Sequence, residues 1–130
     1  MSVPETMKAM LLTGHGGPDK LVYDENFPVP EITPDEVLVK VAACGINNTD
    51  IWVREGAYGS SDDPDEVTSF GDNPLQFPLV QGADIAGVIS ATGDDVDASR
   101  MGERVMVDFG IYAAGGDDVA RCIASNLSVA

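Results

Sequence analysis

Basic side chains are what this chain has least of. Lys and Arg number 7 against 22 Asp and Glu, a formal net charge of −15 over 130 residues. A surface of that sign repels phosphate backbones and anionic headgroups, which excludes nucleic acid and membrane surfaces as partners. Cysteine is nearly absent too: Cys44 and Cys122 are the only two, which excludes a disulfide framework. There is one histidine, His15, and no Cys-x-x-Cys or comparable ligand spacing, so no local zinc motif is present. Apolar runs are only a few residues long, too short to span a bilayer. Met1 to Glu5 offers neither a basic region nor an apolar stretch before a cleavage site, so no signal peptide is expected. Walker loops, heptads and internal repeats are missing as well. What remains is a cytoplasmic globular protein of one domain, whose 44% hydrophobic content suffices for a real core.

The apolar pattern that is present is mostly that of strands. Residues 8–13, 21–25, 36–43, 84–93 and 103–108 each read as a strand. In the strongest, 36–43, Val37, Val39 and Val41 alternate with Glu36, Leu38 and Lys40. Pro28 and Pro30 remove ladder donors, so 27–31 is expected to be extended and to lie on an edge or the surface. Thr33-Pro34-Asp35-Glu36 is a turn that launches the strong strand. Residues 48–56 predict one or two helical turns, capped by a polar residue and closed by Gly56. Residues 57–78 lose periodicity and carry three prolines and the acidic run Asp62-Asp63-Pro64-Asp65-Glu66, which predicts a long loop. That run, with 94–97 and 117–118, reads as solvated surface rather than a cation site. Residues 98–102 form a short tight segment, and 113–118 a turn or linker. Residues 119–130 fit a short helix or a last strand equally well. The expected fold is a mainly-β, partly open barrel with one or two short helices, over 1–112, followed by a linker or incomplete segment over 113–130.

Several candidate sites deserve weighing. Gly14-His15-Gly16-Gly17 lacks the third glycine of a dinucleotide fingerprint, since Asp19 occupies that place and a strand rather than a helix follows. A plain turn is expected there, with His15 exposed to solvent. Cys44 has no recognisable activating base and reads as a small buried thiol at a strand end. Gly82 permits a tight turn, and Gly87 inside a strand predicts a bulge or a close backbone approach. Beyond Gly45 the strong strand runs out into Asn47-Asn48-Thr49-Asp50, two amides, a hydroxyl and a carboxylate at one strand end.

Taken together these segments resemble the N-terminal, GroES-like domain of the medium-chain dehydrogenase/reductase superfamily, from about Met7 to about Tyr112. The marks are Met7-Lys8-Ala9-Met10, Pro28-Val29-Pro30, Glu36-Val37-Leu38-Val39-Lys40-Val41, Gly45-Ile46-Asn47 with Thr49-Asp50, Gly82-Ala83-Asp84-Ile85-Ala86-Gly87-Val88 and Gly102-Glu103-Arg104-Val105. The resemblance implies that Asn47 stands where zinc members have a cysteine ligand and Ala83 where they have a histidine. That departure resembles the zinc-independent branch of quinone oxidoreductase and enone reductase-like enzymes, and no zinc is expected. It further implies that Asn47 and Thr49 are the catalytic donors, with Asn48, Asp50 and Asp84 in support.

A small carbonyl or quinone substrate is implied, with a hydride from NADPH. Relatives hold that cofactor in a Rossmann domain that follows the GroES-like one, so no cofactor-binding residue is assigned within this chain, and the chain alone is expected to be inactive. A truncated product, a half-enzyme and an independent module all fit, and a Rossmann-domain partner or a homo-oligomer is the expected associate. The competing expectation is a non-enzymatic binding or assembly module pairing through edge strands. A third is a metalloenzyme that borrows ligands from another chain. The acid excess leads to one prediction of its own. Self-repulsion on this scale is relieved by screening, which points to a salt-rich, halophilic setting. The melting temperature is expected to rise as potassium chloride is added, and a flat or falling trend in thermal melts would count against it.

Overall fold

The computed structural model describes residues 3–57 and 75–108 in full, and 110–112 and 119–122 as backbone. Much of the loop expected at 57–78 lies outside the described residues, as do the acidic runs at 62–66 and 117–118 and most of 113–130. The strands are β1 (Thr6–Leu12), β2 (Leu21–Pro28), β3 (Val37–Cys44), β4 (Leu79–Val80), β5 (Ile85–Thr92), β6 (Arg104–Met106), β7 (Gly110–Tyr112) and β8 (Val119–Cys122). One α-helix, α1 (Asn48–Glu55), and two 3-10 turns, Pro18–Lys20 and Ala98–Arg100, complete the described elements. Two three-stranded antiparallel sheets have the orders β2-β1-β4 and β3-β5-β6, and β7 pairs with β8 as a hairpin. This is the mainly-β, partly open architecture expected, and 119–122 resolve as strand rather than helix.

Local chemistry accounts for much of the layout. β2 is an edge strand, and its last residue, Pro28, sits opposite Thr6 where no further strand needs its missing donor. The turn before β3 is tied by its own side chains. The Thr33 amide donates to Glu36 Oε2 at 2.8 Å, and the Thr33 hydroxyl to Asp35 Oδ1 at 2.7 Å. The Thr33 hydroxyl, and then Asp35's own backbone, hold the Asp35 carboxyl below its usual range. β4 went unseen in the periodicity, because two residues cannot display a period.

The core draws on both sheets: Ala9, Leu11 and Leu12 of β1, Leu79 of β4, Leu38 and Val39 of β3, and Ile85 and Ile89 of β5. In β5 the buried Ile85, Gly87 and Ile89 alternate with half-buried Ala86, Val88 and Ser90. β3 departs from the strict alternation expected of it. Leu38 and Val39 are both buried, because the register shifts between them and a bulge turns two successive side chains inward. A second shift lies between Val41 and Ala43, beside Gly87. A β-carbon on Gly87 would meet the Lys40 carbonyl oxygen at 2.3 Å and Val39 Cγ1 at 2.8 Å. The close backbone approach expected at Gly87 is therefore present, and the obstacle is backbone that cannot swing aside. Gly87→Ala is expected to destabilise the fold by about 1–3 kcal/mol, as overpacking of a tight interior does, read as a lower midpoint in denaturant.

Candidate functional site

The register of β3 on β5 builds the site. Cys44 and Ile85 are partners at the last rung, so the chain leaving β3 and the chain entering β5 emerge side by side. One further bond continues the ladder past the strands: the Gly45 amide donates to the Asp84 carbonyl at 2.9 Å. The Asp84 side chain is thereby set beside Asn47, whose Nδ2 donates to its carboxylate. Asn47 has extended backbone angles and is the N-cap of α1. Its own amide donates to Asp50 Oδ2 at 2.8 Å, the reciprocal arm of a capping box. Asp50 thus places a negative charge at the positive end of the helix.

Thr49 lies half-buried in the first turn, and Asn48 is exposed. The Asn47 amide has one N–H left after serving Asp84. The first-turn amides of Asn48 and Thr49 precede any intrahelical acceptor. The assembled group is a hydroxyl, one amide N–H and a helix N-terminus, flanked by the carboxylates of Asp50 and Asp84. Such donors can hold a carbonyl oxygen. Position 47 carries an amide already committed to Asp84, and position 83 carries Ala83, so neither supplies a thiolate or imidazole to zinc. Among the described residues, no three His, Cys, Asp or Glu side chains gather at one point. No described helix is long and apolar enough to cross a membrane.

Two expectations are corrected. Cys44 is exposed, not buried, because it is the last residue of β3 and no described element covers the strand end there. His15 is half-buried, not free in solvent: its ring bonds to the carbonyl of Val53 on α1 and packs on Phe77. Sequence reading missed His15 and Arg54 as partners of the helix because 38 residues separate each bonded pair. The available signal was a helix ending in Arg54-Glu55-Gly56, whose last carbonyls need donors from elsewhere.

A family model, the alcohol dehydrogenase GroES-like domain, matches residues 33–126. This chain belongs to that family. It is 34% identical over 115 residues to an NADPH-dependent alkenal/one oxidoreductase of Arabidopsis thaliana, covering 88% of this chain and 27% of the relative. It is 35% identical over 99 residues to the quinone oxidoreductase of Homo sapiens, covering 76% and 26%. Among solved structures, a candidate alcohol dehydrogenase from Sinorhizobium meliloti 1021 superposes with a TM-score of 0.81 at 52% identity, covering 98% of this chain and 36% of that one. This GroES-like chain thus spans about a quarter of the length of the curated relatives it matches.

Within the GroES-like site the Asn47–Asp84 bond makes a direct prediction. Asp84→Ala removes the acceptor that anchors the helix start. It is expected to cost about 1 kcal/mol, the low figure reflecting the exposure of the pair. Faster exchange of the Asn47 and Asp50 amides, which are bonded at the helix start, would accompany the loss, and unchanged rates there would show that Asp84 anchors nothing.

Proposed function

We propose that this chain is the substrate-holding domain of a zinc-independent, NADPH-dependent reductase of quinones or enones. The observation that carries the reading is the bonding of Asn47 to Asp50 and Asp84 at the paired ends of β3 and β5, with Thr49 in the first turn of the helix that Asn47 caps. Relatives at 34% and 35% identity are an alkenal/one oxidoreductase and a quinone oxidoreductase, which supports the substrate class. In this reading the Thr49 hydroxyl is the principal donor to the substrate oxygen, and the free N–H of Asn47 assists it. Asp84 orients Asn47, and Asp50 orients the helix start that carries Thr49. Negative charge that develops on the oxygen is met by preorganised dipoles rather than by a metal. Asn48 is exposed beside them and completes the polar rim.

The bound nicotinamide supplies the hydride in such chemistry. In this reading the described residues do not form its grip, which is supported by antiparallel pairing of every described strand pair and by a Gly14–Gly17 turn that leads into a 3-10 turn and β2. A dinucleotide crevice needs parallel strands and a helix N-terminus behind the glycines. The exposed thiol of Cys44 supports a reducing, cytoplasmic setting.

Titrating NADPH into the chain while following the emission of Trp52 is expected to give no saturable change. Joined to the dinucleotide-binding domain of a relative, the chain is expected to oxidise NADPH in the presence of a quinone or an enone. In that assay Thr49→Val should lower kcat/KM about 100-fold, the usual effect of deleting one oxyanion donor. A rate indifferent to residue 49, or one that depends on stoichiometric zinc, would overturn the reading.

A further inference from the structure

Helix α1 carries Thr49, yet none of its residues is buried. An isolated helix of eight residues is unstable in water, so contacts with the rest of the fold must stabilise it. Contacts at both of its ends help to fix its position. The N-terminal end is tied to Asp84 through Asn47. The C-terminal end is tied to the Gly14–Gly17 turn, which follows β1 in the other sheet.

Three bonds make that second tie. His15 Nδ1 donates to the Val53 carbonyl at 3.0 Å. The Gly16 amide donates to the Arg54 carbonyl at 2.8 Å, and Arg54 Nη1 donates back to the Gly16 carbonyl. The Arg54 side chain is only 13% exposed, so its guanidinium is committed to this contact and to Glu55 rather than to a ligand. Phe77 stands edge-on to the imidazole, ring centroids 5.0 Å apart and planes at 86°, and fixes its orientation. Gly56 closes the helix with φ of 81°, and a β-carbon there would lie 3.4 Å from His15 Cγ, so ring and cap are fitted to each other.

The ring also states which nitrogen matters. A carbonyl accepts only, so Nδ1 bears the hydrogen in this contact. Nε2 is buried without a partner among the described residues. A proton on Nε2 would have no acceptor there, so the neutral Nδ1–H tautomer is the form the site fits.

We propose that His15 is a positioning residue: its Nδ1–H clamps the last turn of α1 and so sets where the first turn presents Thr49. The importance for catalysis rests on the reductase reading above, whereas the clamp itself does not. Two measurements on the chain as it stands test it, and neither needs turnover. Heteronuclear NMR of the single histidine ring is expected to report the Nδ1–H tautomer; an Nε2–H tautomer overturns the proposal. Amide exchange at Gly16 and Ala57 gives the second readout. His15→Ala and His15→Gln are expected to speed exchange there about tenfold, the scale of one lost hydrogen bond. His15→Asn, whose Nδ2 falls where Nδ1 was, is expected to restore most of the protection. Equal exchange in the Asn and Gln variants overturns the clamp, since general loss of packing would affect both alike. In the two-domain assay His15→Ala should lower kcat several-fold, with rescue by His15→Asn. A protein with an intact clamp and no reductase activity would refute the functional reading alone.

Discussion

The hydrogen bond from the Gly45 amide to the Asp84 carbonyl is the hinge point of the architecture. It extends the β3–β5 ladder one step past the rung of Cys44 and Ile85, into residues that are no longer strand. Because of it, Asp84 and Asn47 share one corner, and the chain that turns there begins α1. The energetics show why such ties are needed. Nucleating a helix costs about 4 kcal/mol, taking the nucleation constant near one in a thousand. No buried apolar face of α1 offsets that cost. Five polar contacts at the two ends, each contributing about 1 kcal/mol net, are of the size required. Three of them are at the His15–Gly16 end and two at the Asn47 end. The helix is therefore tied at both ends, to the corner of β3 and β5 on one side and to the turn after β1 on the other.

Charge narrows what such a site can do. Two carboxylates, Asp50 and Asp84, flank the donors, and each accepts a hydrogen bond from Asn47. Arg54, the cation nearest in sequence, is turned to the Gly16 carbonyl and to Glu55 at the far end of the helix. A carboxylate- or phosphate-bearing ligand would meet repulsion from these two carboxylates. A neutral ligand escapes that repulsion. The overall charge of −15 reinforces that preference at longer range wherever salt is low.

Much of this was legible in the sequence, and the exceptions have a common cause. The edge position of β2 follows from Pro28, the turn before β3 from Thr33 to Glu36, the end of α1 from Gly56, and the close approach at Gly87 from a glycine inside a strand. Each is decided within a few residues. The features that escaped are decided by partners far along the chain. Leu38 and Val39 both point inward because of how β3 lies on β5. The two residues of β4 are a strand only because Leu11 and Leu12 of β1 receive them. Cys44 is exposed because no described element covers the end of its strand. His15 looked like a turn residue because the helix it grips is 38 positions away. For the site itself, the grouping of Asn47, Thr49 and Asp50 was visible as a run, but the bond from Asn47 to Asp84 needed the fold.

That bond bears on why residue 47 is an asparagine at all. The family resemblance implies a cysteine at this position in zinc members, whose thiolate a metal would neutralise. Take the metal away, and a thiolate beside the Asp84 carboxylate becomes a pair of like charges on paired strand ends. A neutral thiol offers only a weak donor to the carboxylate. An amide reverses the situation: its Nδ2 donates to Asp84, and a second side-chain N–H remains, while the bond to Asp50 comes from the backbone whatever the side chain. The identity of residue 47 and the charge of residue 84 are therefore coupled. Exchanging Asn47 alone for a cysteine would put repulsion or a weak bond where α1 has its anchor at Asp84.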